Sequence, residues 1–271
     1  MLANRAEADD GAILPEAGGS ARVVALATAR RVLEGRIARA ADDPASAATF
    51  DPVRALGGAG EGLRELVVPS TADAGAEAAV AGLARSTTKG IVLRVRDALS
   101  ERETGRLHAR GLAQAGCDPS RVVTVCARNA REALWAMELG LGCPSVGGVV
   151  GEIYGNPSVL GFTATRRLAL MSERTNTPCL LLRLLSNARS SGARRRWSLA
   201  SLPSTPDPHD DGAPGAPRWR LDLLRARDRA PGSWIVARNA EGGMEHVPSR
   251  DGTELRPYPG ARMDPEVRAR A

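Results

Sequence analysis

The segment that follows the first strongly apolar run lacks the residues that bind a nucleotide phosphate. A phosphate-binding loop of the form Gly-x-x-x-x-Gly-Lys-[Ser/Thr] needs glycines for close backbone approach, a lysine for the phosphates and a hydroxyl for Mg²⁺. The corresponding residues here include Pro69, Ser70, Thr71, Asp73 and Gly75, with no lysine among them. A carboxylate at Asp73 would repel a phosphate, whereas it is well suited to cap a helix. The sequence therefore predicts a degenerate loop, with no nucleotide or other cofactor bound there.

Residue types that commonly carry catalysis are scattered along the chain. The three histidines, His108, His209 and His246, fall in a predicted helix, a loop and the tail, and each is expected at the surface. The four cysteines are too widely spaced for a Cys-x-x-Cys metal site and are expected to be reduced thiols. Glu152 follows an apolar run, where α/β proteins place functional groups, but a lone carboxylate there favours a turn or a helix start. No catalytic or metal site is predicted.

Two arginine clusters are candidates for contact with a partner or with DNA. Arg166 and Arg167 fall near the start of a predicted helix, where positive charge opposes the helix dipole, so contact with another group is favoured. Arg194, Arg195 and Arg196 open a later predicted strand, and strand alternation places Arg195 on the face opposite its two neighbours. Guanidinium groups of this kind bind nucleic-acid phosphates. A solvated face is the alternative interpretation, and it is the favoured one.

Short apolar runs alternate with helical periodicity between residues 56 and 185, which is typical of β-α-β units. The predicted strands are Leu63–Val68, Ile91–Val95, Val122–Cys126, Val146–Val150 and Cys179–Leu185. The predicted helices are Asp73–Arg85, Glu101–Ala115, Ala130–Leu141 and Ala164–Arg174. Two of these helices follow the capping boxes Ser100-x-x-Glu103 and Asn129-x-x-Glu132. The sequence therefore predicts an α/β domain with a mainly parallel sheet flanked by helices.

After residue 190 the pattern changes to consecutive strands. Strands are predicted at Arg194–Leu202, Arg218–Arg225 and Ser233–Ala237, and they carry Trp197, Trp219 and Trp234, respectively. Aromatic pairs across antiparallel strands stabilise a small sheet. Four regions follow from this reading: an N-terminal leader and helix at 1–48, an α/β core at 49–190, an antiparallel β extension at 191–240 and a loosely ordered tail at 241–271.

Composition narrows the class of protein. The chain has 271 residues, of which 43% are hydrophobic and 25% charged, as in ordinary globular proteins. Its net charge of +6 is compatible with a nucleic-acid or acidic protein partner. No stretch approaches 18 consecutive apolar residues, and the N-terminus lacks the pattern of a secretory signal. We therefore expect a cytoplasmic protein with no membrane segment.

Several short motifs follow one another in a fixed order. They are Val149-Val150-Gly151-Glu152, Thr163-Ala164-Thr165-Arg166-Arg167-Leu168, Arg196-Trp197 with Leu202-Pro203-Ser204, Pro217-Arg218-Trp219-Arg220 and Gly232-Ser233-Trp234. In this order they resemble the ImuA family, inducible-mutagenesis proteins of the RecA-like and SulA-like group. The resemblance runs from about Leu56 to Glu241. It implies a RecA-like core in a damage-inducible accessory protein of translesion synthesis. The partners it implies are ImuB, which is a homologue of Y-family polymerases, and an error-prone replicative polymerase.

The resemblance also implies that the ATPase site has been lost. Glu65 and Pro69 echo the Glu-x-x-x-Pro stretch that precedes the phosphate loop in RecA. In that register the loop glycine, lysine and threonine would fall on Asp73, Ala74 and Gly75. The metal-binding aspartate would fall near Gly151, with Glu152 beside it. The family likeness thus implies a RecA-shaped scaffold without the groups that hydrolyse ATP.

The favoured hypothesis is a non-enzymatic accessory protein of the SOS response that binds polymerase partners and, as a further candidate, RecA. Trp219 and Trp234, together with the arginine clusters, are its candidate contact residues. Three alternatives stand beside it: a SulA-type cell-division inhibitor that binds FtsZ, an active RecA-like DNA-binding ATPase, and a DNA-binding accessory protein that works through Arg194–Arg196.

Overall fold

A computed structural model describes residues 50–57, 62–69, 80–83, 90–106, 108–186, 190–205, 207, 209–210 and 212–247. The predicted leader and helix at 1–48 lie outside these residues, as do most of the predicted helix Asp73–Arg85 and the tail beyond 247. Of the residues assigned to the degenerate loop, Pro69 is described, whereas Ser70, Thr71, Asp73 and Gly75 are not.

Nine strands form one continuous sheet in the described part of the chain. They are β1 (Leu63–Val68), β2 (Ile91–Asp97), β3 (Val122–Ala127), β4 (Val146–Tyr154), β5 (Cys179–Leu184), β6 (Arg195–Leu202), β7 (Arg218–Ala226), β8 (Gly232–Arg238) and β9 (Met244–Val247). Their order across the sheet is β3-β2-β4-β5-β1-β6-β7-β8-β9. Pairing is parallel from β3 to β6 and antiparallel from β6 to β9. The predicted α/β class with a C-terminal antiparallel series is confirmed.

The antiparallel series continues the parallel sheet without a break. β6 pairs with β1 in parallel, with Glu65 opposite Arg196, so the predicted extension at 191–240 adds strands to the edge of the core sheet. The predicted loose tail begins with an ordered strand, because β9 pairs with β8 from Met244 to Val247. This first part of the tail prediction is therefore corrected.

Five α-helices are described from end to end: α1 (Pro52–Gly57), α2 (Ala98–Thr104), α3 (Ala109–Gln114), α4 (Ala130–Leu141) and α5 (Phe162–Thr175). Residues 80–83, within the predicted helix Asp73–Arg85, are also helical. The predicted single helix Glu101–Ala115 is wrong. It is divided at Gly105, whose φ of +74° ends α2 in a conformation that favours glycine. No helix among the described residues is long and apolar enough to cross a membrane.

The two predicted capping boxes have different outcomes. Asn129 caps α4 as predicted, since its side chain accepts a hydrogen bond from the backbone N–H of Glu132. Ser100, in contrast, lies inside α2, and Asp97 is the N-cap, because its carboxylate accepts from the Ser100 N–H at 2.8 Å. The strand β2 therefore runs directly into the helix that follows it.

Each face of the sheet buries its own apolar cluster. On one face, α4 and α5 pack against the parallel strands through Leu134, Met137 and Leu168. On the other face, Trp197, Trp219 and other side chains of the later strands pack with α1 and residues 80–83. Helices α4 and α5 thus cover one face, and the other face buries aliphatic residues of the parallel strands together with tryptophans of the later strands.

Packing between β4 and α4 leaves no room for a side chain at Gly151. A Cβ atom there would overlap the Met137 thioether, which is fully buried. We predict that Gly151→Ala lowers the free energy of unfolding by about 1–3 kcal/mol, because overpacking a filled core forces neighbouring groups out of position. Urea unfolding followed by tryptophan fluorescence measures the change.

Gly111→Ala in α3 is the matched control, since a Cβ atom at that position meets nothing within 4 Å. Alanine in a helix is favoured over glycine by about 0.5–1 kcal/mol, so this variant should be slightly more stable than the original chain. Equal effects of the two substitutions would contradict the packing described for Gly151.

Candidate functional site

Two buried carboxylates lie within the parallel strands, on opposite faces of the sheet. Glu65 of β1 is in register with Leu181 of β5, which is in register with Gly151 of β4. Paired residues of neighbouring strands share a face and successive residues alternate, so Glu65 shares a face with Gly151 and Glu152 points the other way. Each carboxylate is paired with arginines of adjacent strands.

Glu152 uses both of its carboxylate oxygens to accept hydrogen bonds from arginines of β2. Arg94 Nε donates to Oε1, and Arg96 Nε donates to Oε2 at 2.7 Å. Arg94 and Arg96 are two residues apart in β2 and therefore project from the same face. Glu152 is only 2% exposed and β4 continues beyond it to Tyr154, so the interpretation of this residue as a turn or helix start is wrong.

Arg96 also binds the end of α2. Its Nη1 donates to the carbonyl of Gly105 at 2.5 Å, and its Nη2 donates to the carbonyl of Ser100 at 3.1 Å and to the Thr104 hydroxyl. The Ser100 hydroxyl donates in turn to the backbone carbonyl of Glu152 at 3.2 Å. A cation at a helix C-terminus satisfies carbonyls that have no partner within the helix. The Glu152 cluster thus fixes α2 against β4.

Glu65 is the centre of the second cluster. Arg183 Nη1 of β5 donates to Glu65 Oε1 at 3.2 Å, and Arg196 Nε of β6 lies 3.2 Å from Oε2. Arg183 Nη2 donates to Asn156 Oδ1 at 3.4 Å, and this oxygen also accepts from the Ser186 hydroxyl at 2.6 Å. Burial lowers the pKa of Arg183, and the charge and hydrogen bond of Glu65 offset part of that effect.

The Glu65 cluster lies where the degenerate loop begins. Pro69 directly follows β1 and is exposed. The backbone N–H of Leu185 donates to the Val68 carbonyl at 2.8 Å, and that of Gly155 donates to the Leu184 carbonyl at 2.7 Å, which joins the carboxyl ends of β1, β4 and β5. In parallel α/β sheets this edge is where ligands bind. Here the buried polar side chains at the edge are engaged with one another.

The predicted Arg194–Arg196 cluster does not form one surface. Arg195 and Arg196 are each only 7% exposed. Arg196 belongs to the Glu65 cluster, and Arg195 forms an ion pair with Asp228, with its Nη2 2.6 Å from Asp228 Oδ2. Burial raises the pKa of Asp228, but the hydrogen bond and charge of Arg195 outweigh this effect and lower it overall. Arg194 is exposed. The candidate contact role of Arg195 and Arg196 is therefore corrected to an internal structural one.

Arg166 and Arg167 lie on the surface of α5, as a contact role requires. The Arg167 guanidinium reaches across to α4, where its Nη2 lies 2.5 Å from Glu138 Oε1. That interaction explains how an arginine is accommodated in the first turns of the helix.

The tryptophans of the late strands are mainly core residues. Trp197 and Trp219 are buried, so the candidate contact role of Trp219 is corrected to packing. Trp234 is half-buried, with its ring centroid 5.9 Å from that of Trp197 and 5.2 Å from that of Phe50. The Arg229 guanidinium lies 3.4 Å from the Phe50 centroid, which gives a cation–π contact.

The histidines and cysteines form no reactive centre in the part of the chain that the structure describes. All three histidines are exposed, as predicted, although His108 is the N-cap of α3 and His246 belongs to β9. All four cysteines are free thiols. Burial raises the pKa of Cys179 to about 12, partly offset by Arg64, and a hydrogen bond to Glu101 raises the pKa of the exposed Cys126.

The partners of Glu152 and Glu65 were not predicted from the sequence. Arg94, Arg96 and Arg183 stand within otherwise apolar strands, and arginine is rarely buried unless it is paired. The available signal for buried ion pairs was that basic residues occur in some predicted buried strands, and Glu65 and Glu152 in others. Which strands are neighbours had to be known before these residues could be paired.

Comparison with known proteins finds similar sequences and similar solved structures. No family model matches the chain. The chain is similar to Protein ImuA of Caulobacter vibrioides, in strain NA1000 / CB15N and in strain ATCC 19089 / CIP 103742 / CB 15. Identity is 35% over 150 residues, which is 52% of this chain and 59% of the relative. The match thus spans about three-fifths of the relatives' length, and over that part it confirms the predicted ImuA resemblance.

The crystal structure of the RadB recombinase has a similar fold. Its TM-score is 0.50 at 15% sequence identity, and the match covers 73% of this chain and 97% of that one. At this identity the likeness concerns the fold alone. The predicted RecA-like architecture is confirmed.

Replacing Glu152 tests whether its buried ion pairs stabilise the fold. We predict that Glu152→Gln lowers the free energy of unfolding by about 3–5 kcal/mol, because breaking a buried pair leaves uncompensated charges on Arg94 and Arg96. Chemical denaturation of the full-length chain measures the change.

The matched control is Glu132→Gln on the surface of α4, which breaks an exposed ion pair with Arg128. An exposed pair of this spacing contributes about 0.5 kcal/mol, so the control should remain close to the original stability. A Glu152→Gln variant as stable as this control would show that the cluster does not hold the sheet.

Proposed function

We propose that this ImuA-like chain is a non-enzymatic accessory protein of damage-induced mutagenesis. In this role it acts in the SOS response and in error-prone translesion synthesis. Its partners are the ImuB-type homologue of Y-family polymerases, an error-prone replicative polymerase and RecA. The observation that carries the proposal is the similarity to Protein ImuA over 150 residues.

The packing at Gly151 and the Glu152 cluster support the non-enzymatic part of this proposal. The family register puts the metal-binding carboxylate of an ATPase near Gly151, but an aspartate there would overlap Met137. The neighbouring Glu152 is buried, and both of its carboxylate oxygens accept hydrogen bonds from arginines. To hold a metal ion or a water molecule, this carboxylate would first have to leave two charged partners, at a cost of several kcal/mol.

The candidate arginines that remain exposed favour proteins over DNA as partners. Strong DNA binding uses several cationic groups that reach phosphates from one surface. Burial of Arg195 and Arg196 removes two of the candidate cations from such a surface. A RecA-like fold without ATPase chemistry then functions through the proteins that its surfaces bind.

We predict that the full-length chain does not bind ATP stoichiometrically in the presence of Mg²⁺. The chain contains no Gly-Lys pair to bind the phosphates, and its one lysine, Lys89, is followed by Gly90. Equilibrium dialysis against labelled ATP measures the bound fraction, with an active RecA-like ATPase as the positive control. One nucleotide bound per chain would overturn the non-enzymatic proposal and favour the ATPase alternative.

We predict that the tagged full-length protein recovers polymerase subunits or RecA from DNA-damaged cells. Mass spectrometry of the co-eluting proteins provides the measurement, and the tag alone from the same cells is the control. Recovery of FtsZ in place of the polymerases would contradict the proposal and favour the division-inhibitor alternative. Recovery of neither class would remove the support for the mutagenesis role and leave the fold.

A further inference from the structure

An exposed apolar groove lies between α4 and α5. It has a volume of about 490 Å³. Its lining residues are Trp135, Glu138, Leu139, Gly142, Cys143 and Met171. Trp135 is 63% exposed and Leu139 is 56% exposed. Large apolar side chains that share an exposed groove are typical of a site that binds another protein.

The groove residues are not needed to pack α4 on the sheet. Leu134, Met137 and Leu141 perform that role on the buried side of the helix. Trp135 and Leu139 are four residues apart and therefore form a second apolar stripe on the outer side. Trp135 is also the one exposed tryptophan of the four in the chain. Tryptophan is enriched among residues that dominate binding energy at protein interfaces.

The groove is formed before any partner binds. The N-cap bond of Asn129 fixes the start of α4, and the ion pair between Glu138 and Arg167 joins α4 to α5. Gly142 lies beside the Met171 methyl group at the far end of the groove. Binding to a preformed groove avoids the entropy cost of ordering it.

The two helices give the groove a positive surround. Their charged surface residues are four arginines, Arg131, Arg166, Arg167 and Arg174, and three glutamates, Glu132, Glu138 and Glu173. Glu132 pairs with Arg128 and Glu138 pairs with Arg167, so both pairs are neutral, and Arg131, Arg166 and Arg174 remain against Glu173. The surface therefore attracts an acidic partner and repels a basic one.

The charge around the groove distinguishes three candidate occupants: another segment of this chain, a second copy of the chain, and a different protein. The segment 22–39 of this chain carries five arginines and one glutamate, so it would meet like charge there. A second copy placed across a twofold axis would set two positive surfaces against each other. A different protein that presents apolar side chains flanked by carboxylates satisfies both the groove and its surround.

We propose that the α4–α5 groove binds an amphipathic helix of a different protein, with an apolar stripe at helical spacing and acidic flanking residues. Helices bind such grooves through apolar residues at positions i, i+3 or i+4, and i+7. The inference rests on the proposed function in one respect, namely that the chain acts by binding proteins. Beyond that function, the proposal specifies the binding surface, the residues that form it and the chemistry of the bound segment.

Photocrosslinking identifies the occupant directly. The full-length chain carries p-benzoylphenylalanine in place of Trp135 in DNA-damaged cells, and crosslinked peptides are sequenced by mass spectrometry. A matched control carries the same group in place of Leu224 of β7, which is 41% exposed on the other half of the sheet. The expected result is an acidic peptide of another protein, with apolar residues at helical spacing, linked at position 135 and not at 224.

Four results would overturn the proposal. They are a crosslink to this chain itself, a crosslink to a second copy, a crosslink to a basic peptide, and no crosslink at position 135 beyond that of the control. Each shows that the groove is covered by something else or by nothing.

A pair of substitutions separates the groove from the proposed function. Leu139→Glu places a carboxylate on an exposed residue of the groove and should reduce recovery of the crosslinked partner at least tenfold, the effect of losing an interface hot spot. Leu224→Glu should leave recovery unchanged. If the unmodified chain recovers polymerase subunits and Leu139→Glu recovers them equally well, the groove proposal fails and the proposed function stands. If the unmodified chain recovers neither polymerases nor RecA, the proposed function fails, and the crosslink at 135 still decides the groove.

Discussion

The buried pairing of carboxylates with arginines is the constraint on which the parallel sheet depends. Glu152 accepts from Arg94 and Arg96, and Glu65 pairs with Arg183 and Arg196. Charges enclosed among apolar strands are tolerated only when they are paired, because an unpaired ion in that environment costs several kcal/mol. The pairs therefore fix the register of β2 relative to β4, and that of β5 and β6 relative to β1.

The carboxyl ends of the parallel strands, where other parallel α/β proteins bind ligands, carry paired polar side chains in this protein. Polar groups at the carboxyl ends of β1, β4 and β5 face one another, as Arg183, Asn156 and Ser186 show. The Glu152 cluster extends this arrangement to α2, since Arg96 binds the carbonyls at the end of that helix. These side chains hold strands and helices together, and the proposed function assigns binding to the outer surfaces instead.

The two halves of the sheet differ in whether the tryptophans over them are buried or exposed. Over the β6–β8 half, Trp197 and Trp219 are buried and Arg229 lies over Phe50, so aromatic side chains there serve packing. Over the parallel half, α4 buries aliphatic residues and leaves Trp135 exposed beside α5. Trp135 therefore lies exposed at the α4–α5 groove, whereas Phe162, the other exposed aromatic residue among those described, begins α5.

The sequence by itself determined the elements of this protein. Apolar runs such as Leu63–Val68 and the capped, periodic segment Ala130–Leu141 appear with the predicted bounds, because local propensity and hydrophobic pattern decide whether a segment is strand or helix. The division at Gly105 was missed, although a glycine that can adopt a positive φ is a local signal for the end of a helix. Only the tertiary structure decided the role of each charged residue: Arg196 became internal and Arg166 stayed at the surface because burial and pairing depend on which strands are neighbours. Strand order is a long-range property, and no local spacing of residues specifies it.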